Sequence, residues 1–248
     1  MNNPALICLC LIAPLALADS TLTYDEGGKQ NRLRISSDKV RLDHHRNGTW
    51  FLFDALKNEM IVVDPGKKEF LVIDEAKVDS LRRGVDTMVS TVEAQIAKLP
   101  PSMREQARQM MGGVLTANHE KRSVRVDSTG QQGMAAGLGC EFKRFVINGR
   151  VESEVCLTAA SNLGLPPQDL QAIVGWQRFA RSLAEKASRY IDIDIRVFGS
   201  GDQIPLRYRY AGGSSEGVLT EIALAKLDPT LLQIPEGYRQ REFDLPLR

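Results

Sequence analysis

Histidine and cysteine are the residue types best suited to chemistry near neutral pH, and this chain has three of the first and four of the second. His44 and His45 are adjacent in a stretch that reads as a strand, so they point to opposite faces and make no simple chelating pair. His119 lies in a polar loop with no partner at a useful spacing. No metal-ligand spacing, G-x-S-x-G elbow, phosphate loop, dinucleotide fingerprint or H-E-x-x-H helix occurs. The reading is therefore no catalytic residue, no metal and no cofactor. A hydrolase built from distant Ser, Asp and His residues ranks last, because such triads leave no local signature.

The cysteines speak of compartment. Cys8 and Cys10 fall within MNNPALICLCLIAPLALADS, an apolar stretch from Ala5 to Ala18 with small residues at Ala16 and Ala18. That is the pattern of a secretory leader with an A-x-A cleavage site, expected to be cut after Ala18. About 14 apolar residues interrupted by Pro14 fall short of the roughly 20 needed to span a bilayer, so the mature chain is expected to carry no transmembrane segment. Residues 19–248 then hold only Cys140 and Cys156, and two cysteines in an exported chain predict one disulfide.

Their positions on either side of Asn148-Gly149 predict how the bond forms. Asn-Gly between apolar runs signals a hairpin. A two-residue loop pairs Ile147 with Arg150 and sets Cys140 opposite Leu157. A three-residue loop with Gly149 in a G1 bulge pairs Val146 with Arg150 and sets Cys140 directly opposite Cys156, within reach of a disulfide. The bulged loop is the expectation.

The elements that must position these residues follow from punctuation and period. From Thr21 to Asp74, short apolar runs are cut by turns at Gly27-Gly28, Ser36-Ser37-Asp38, Asn47-Gly48, Lys57-Asn58 and Asp64-Pro65-Gly66, which reads as an antiparallel meander. Asn47-Gly48-Thr49 also matches a glycosylation sequon, but between two strands it reads as a turn. The runs Trp50–Phe53, Met60–Val63 and Phe70–Ile73 do not alternate, so both faces of this sheet are apolar and both need a cover. Apolar residues at three- and four-residue spacing predict helices over Glu75–Leu99, Ser102–Met111 (with a Ser102/Glu105 capping box) and Gln168–Tyr190. Strands return near Ser123–Val126, through the cysteine hairpin, and at Ile204–Tyr210 and Gly217–Leu224. The fold class is α+β, one large antiparallel sheet with helices. Net charge is +1 with 25% charged residues and no block of like charge, which argues against a nucleic-acid partner.

LRISSDKVRLD (Leu33–Asp43), GTWFLFDALKNEMIVVDPGKKEFLVID (Gly48–Asp74) and the tail LDPTLLQIPEGY (Leu227–Tyr238) resemble the LolA/LolB-like periplasmic superfamily. The likeness is greatest to uncharacterised exported members with a long central helix and a paired-cysteine hairpin. The disulfide hairpin and long helices depart from the lipoprotein carriers of that group. The resemblance implies a single domain over 19–248, an unclosed β-barrel whose curved sheet has its concave side covered by helices and can hold acyl chains. The leading expectation is a non-enzymatic periplasmic carrier or envelope sensor, binding a lipid or lipoprotein acyl chain in a groove lined by Trp50, Leu52, Phe53, Val62, Phe70, Met88, Val92, Met103 and Met110. The alternative is an envelope protein-interaction module that presents its apolar face to a partner or a second copy. Each named side chain also has a plainer reading as core filling.

Overall fold

Short apolar runs separated by residues that tolerate tight turns become strands where that punctuation places them. The computed structural model describes residues 18–43, 48–110, 123–187, 202–213 and 215–242. Six strands come first: β1 (Ser20–Glu26), β2 (Lys29–Ser36), β3 (Lys39–Asp43), β4 (Trp50–Asp54), β5 (Glu59–Asp64) and β6 (Glu69–Asp74). The β4–β5 turn is closed by the Asp54 carboxylate, which accepts from the Leu56 and Lys57 amides. Asp64 accepts from the Lys67 amide in the β5–β6 turn, the usual use of Asp in turns.

Helix α1 (Glu75–Ala97) begins where β6 stops, because the Asp74 side chain accepts the Lys77 amide at 2.7 Å and caps the first turn. Helix α2 (Pro101–Met110) starts with proline in its first turn, where no amide is needed, so Ser102 lies within the helix rather than at the expected cap. Then come β7 (Val124–Ala135), β8 (Leu138–Ile147), β9 (Arg150–Ala159), helix α3 (Pro167–Ala187), β10 (Gln203–Tyr210), β11 (Glu216–Leu224) and the short β12 (Arg239–Gln240). The expected leader up to residue 17, His44, His45, Asn47, Met111, His119 and the end of the third helix at Tyr190 lie outside the described residues.

All twelve strands join one sheet in the order β12-β6-β5-β4-β3-β2-β1-β11-β10-β9-β8-β7. Among the described residues only β12 on β6 is parallel. The sheet is not closed, and β12 and β7 are its edges. It does curl: three flat strand spacings are about 14 Å, yet Cα atoms of β7 and β10 approach within 8 Å. The fold is thus α+β, as the order of elements predicts.

The cysteine hairpin corrects the expected register. Asn148 and Gly149 both take positive φ, 50° and 79°, making a two-residue loop with Ile147 opposite Arg150. The extra residue is not in the turn but in β9, at Glu152, where pairing passes from Val146–Val151 to Phe145–Ser153. Phe142 therefore opposes Cys156, and Cys140 stands one diagonal step away on the same face. The Cys140–Cys156 disulfide forms across that diagonal, with a Cα separation of 5.3 Å. A bare two-residue loop would set Cys140 opposite Leu157; the one-residue bulge shifts the pairing by one place, and that change of parity brings both sulfurs to one face. Gly133, opposite Cys140 on β7, makes the room: a Cβ there would lie 2.6 Å from the Phe142 ring and 3.1 Å from Cys156 Sγ.

Candidate functional site

Because side chains alternate along a strand, register sorts the meander into two faces. One face carries the row Val40, Phe53, Met60 and Ile73 and the row Leu42, Phe51, Val62 and Leu71. The other carries Arg41, Leu52, Ile61 and Val72 and, beside them, Asp43, Trp50, Val63 and Phe70. The prediction of oily residues front and back holds, and the chain itself packs on part of each face.

Helix α3 packs on the first face. Ile173, Trp176, Phe179 and Leu183 share a buried cluster with Leu22, Leu33, Ile35, Val40 and Phe53, and the Phe53 and Phe179 rings stand 5.3 Å apart. The helix is keyed in place by Asp169 in its first turn, a buried carboxylate. It accepts the Ser20 hydroxyl of β1 at 2.6 Å and the Ser37 amide of the β2–β3 turn at 3.0 Å. Burial raises its pKa against the opposing pull of those hydrogen bonds. Further along the same cluster, the Tyr24 hydroxyl donates to the Pro205 carbonyl, and burial followed by the nearby Tyr208 pushes its pKa upward. The Tyr208 ring lies against Gly217, where a Cβ would overlap it. The row Leu42–Phe51–Val62 lies farther out on this face and is only half-buried.

The second face is covered by the tail. After β11 the chain crosses the meander to pair β12 with β6, and Leu227, Leu232, Ile234 and Tyr238 pack on Trp50, Leu52, Ile61, Val63, Phe70 and Val72. This strap is fixed at three places. The Leu227 amide donates to the Asp19 carboxylate at 2.7 Å. Arg41 donates to the Leu231 carbonyl at 2.5 Å. The Arg239 and Arg241 amides donate to the Lys68 and Phe70 carbonyls. Arg41 is the centre of a small charged network: its guanidinium lies 3.9 Å over the Trp50 ring and bonds Asp43 through Nε at 2.8 Å. Asp43 also pairs with Arg34. Burial, and then repulsion from Arg34, pushes the Arg41 pKa down to about 10.

Neither a protein-family model nor a curated protein sequence gives a significant match to the chain. Solved structures give weak matches, among them two with TM-scores below 0.5. One is an uncharacterized conserved protein from Thermus thermophilus, 8% identical, with a TM-score of 0.41 over 91% of each chain. The other is a structure of PNGF-II, 14% identical, with a TM-score of 0.42 over 92% of this chain and 31% of that one.

The nine side chains expected to share a groove are not brought together. Trp50, Leu52 and Phe70 lie beneath the strap, whereas Phe53 and Val62 face the opposite way, because odd and even positions of one strand cannot line one surface. Met88 and Val92 are half-buried on α1. There Val92 packs with Val89, Ile96 and Ala107 of α2 in a separate small cluster. Met103 and Met110 are 51% and 81% exposed on α2. Among the described residues no group of three His, Cys, Asp or Glu side chains could hold a metal, and no helix is long and apolar enough to cross a membrane. Arg41 and Asp43 are partly buried, the Arg41 side chain being 14% exposed. Their i, i+2 spacing was the one sequence signal for this network. Asp169 gave none.

Proposed function

We propose that the protein is a non-enzymatic binding protein of the periplasm, a carrier or envelope sensor. It takes an acyl chain or similar apolar ligand on the helix-covered side of an unclosed, LolA-like barrel. In this reading the groove would run outward of α3 along the row Leu42–Phe51–Val62–Leu71, with Met88 of α1 beside it. One observation supports this above others: Leu42, Phe51 and Val62 are half-buried apolar side chains in the middle of a sheet face, while the opposite face of the same strands is closed by the strap. Of the side chains expected from sequence, Val62 and Met88 belong to this groove; Phe53 is buried against α3 and Val92 packs with Ala107 of α2. Trp50, Leu52 and Phe70 are taken by the strap. Phe51 is added.

Binding would draw on burial of methylenes at about 0.8 kcal/mol each, with no reacting group to orient. Protein taken from the periplasm should show an added lipid mass by native mass spectrometry and should take up a fluorescent fatty acid. Val62→Trp, which fills the row, should lower that uptake about ten-fold or more, the equivalent of two lost methylenes. A clean apo mass together with no uptake would defeat the proposal.

A second reading, an envelope protein-interaction module, draws support from the exposure of Met103 and Met110 on one short helix. Light scattering and crosslinking of the wild type and of a Met103→Ser/Met110→Ser variant separate it from the first. Loss of a partner or dimer without loss of fatty-acid uptake would assign α2 that role.

A further inference from the structure

Three arginines stand together on the strap side of β2 and β3, with one carboxylate among them in the described residues. Register sets Arg34 directly across from Arg41 and Arg32 directly across from Asp43, all on one face. Opposed like charges on neighbouring strands destabilise a sheet unless something compensates them. Asp43 serves both Arg34 and Arg41. Arg32, on the exposed flank, bonds the neutral amide of Gln30.

Among the described residues neither Asp19, which accepts the Leu227 amide, nor Asp228, which accepts the Thr230 amide, makes an ion pair with the three arginines. Glu221 faces Thr23, which in turn faces Arg32, so it stands two strands away, roughly 10 Å. Arg34 and Arg41 are each only 14% exposed, so the excess positive charge is partly sheltered from water, and an anion there is attracted more strongly than at an open surface.

The donors suit one class of ligand. A guanidinium offers five N–H groups in a planar fork that matches carboxylate and phosphate oxygens. Arg41 already spends its donors on Asp43 and on the Leu231 carbonyl. Arg34 and Arg32 hold the remaining forks, side by side and two residues apart on β2, and the half-buried Thr21 lies directly across from Arg34 on β1.

We propose that Arg32 and Arg34, backed by Arg41, form an oxyanion-binding site for a phosphate monoester or carboxylate on the strap side of β2–β3. Its occupant is either a free anion or the headgroup of an amphiphile. The site does not rest on the acyl-chain reading, since it lies on the opposite face of the sheet.

The test is calorimetric titration of the mature chain with inorganic phosphate and with decyl phosphate, with decyl maltoside as the uncharged control. Both phosphates should bind at about 0.01 M salt and lose most of their affinity near 1 M, as the Debye length falls from about 30 Å to about 3 Å. Arg32→Gln, at an exposed position, should leave the melting temperature unchanged and weaken phosphate binding about five-fold or more, the loss of one charge-assisted contact. Arg34→Gln should weaken it further. Equal affinity for the two phosphates identifies a free anion; clearly tighter decyl phosphate binding identifies a headgroup. Absence of binding by either phosphate at low salt, or binding unaltered in Arg32→Gln, overturns the site. Fatty-acid uptake measured on the same Arg32→Gln protein should be unchanged, so the failure of one proposal is distinguishable from the failure of the other.

Discussion

Replacing Arg41 with alanine should loosen the strap and leave the rest of the sheet intact. The residue makes three contacts whose worth can be set out separately. The guanidinium over Trp50 at 3.9 Å is worth about 0.5–2 kcal/mol. The bond to the Leu231 carbonyl at 2.5 Å is charge-assisted, worth about 1.5–3 kcal/mol. The pairing with Asp43 costs less to lose, because Arg34 stays to neutralise that carboxylate, and removing Arg41 also relieves its repulsion with Arg34. The net loss is therefore about 2–4 kcal/mol, read in denaturant melts of wild type and variant.

Where the loss falls is the sharper test. The amides of Leu227, Arg239 and Arg241, which hold the strap to Asp19, Lys68 and Phe70, should exchange about 30- to several-hundred-fold faster if the strap opens as a unit, at about 1.4 kcal/mol per decade. Amides of the β8–β9 hairpin should keep their wild-type protection. A variant within about 0.5 kcal/mol of wild type, with strap exchange unchanged, would refute Arg41 as the fastening. Arg41→Lys should fall between the two, since an ammonium keeps the charge over the ring but cannot fork between Asp43 and Leu231.

Two further outcomes follow from single side chains. Asp169 has a pKa raised by burial above its ordinary value of 3.8, so the folded state binds its proton more tightly than the unfolded state. Its contribution to stability is fully present below that ordinary value and declines as pH rises through the raised one. Asp169→Asn, which keeps an acceptor for Ser20, should remove this decline, so that wild type loses stability relative to the variant as pH rises across that window. An opposite or flat difference between the two stability curves would contradict the assignment. Gly217→Ala should cost about 1–3 kcal/mol, because its Cβ would overlap the Tyr208 ring and a packed interior does not absorb that overlap freely. In a Tyr208→Ala background the same change should cost under about 0.5 kcal/mol, a coupling that a thermodynamic cycle measures directly.

The strands of the meander were legible because each is bounded by residues with a local reason to turn. Asp54 and Asp64 bond amides two or three residues on, and nothing distant is needed to place them. The helices were legible from their apolar period; Asp74 caps the first through a bond within one turn, whereas the second begins at Pro101, one residue ahead of the expected Ser102 cap. The two-faced apolar character of β4–β6 was legible too, but not which residues share a face, since that depends on parity within each strand and not on composition. The hairpin register failed for a related reason: an inserted residue at Glu152 within β9 leaves no mark on the Asn-Gly turn. The strap, the Asp169 key and the Gly217 notch were out of reach. Arg41 and Leu231 are 190 positions apart and Ser20 and Asp169 are 149 apart, and no local preference encodes such meetings.

The strand at the middle of the sheet is β1, with β2 on one side and β11 on the other, so Leu22 faces Leu33 across one border and Ile222 across the other. The first border closes a short hairpin and can form within microseconds, whereas the second must wait for a far-off part of the chain. During renaturation the meander β1–β6 and the block β7–β11 should therefore mature as two separate half-sheets, each with a raw margin able to capture a neighbouring molecule. Joining them along the β1–β11 seam should be the late, rate-setting stitch. Dilution should protect the yield at that stage, and crowding of unfinished chains should spoil it.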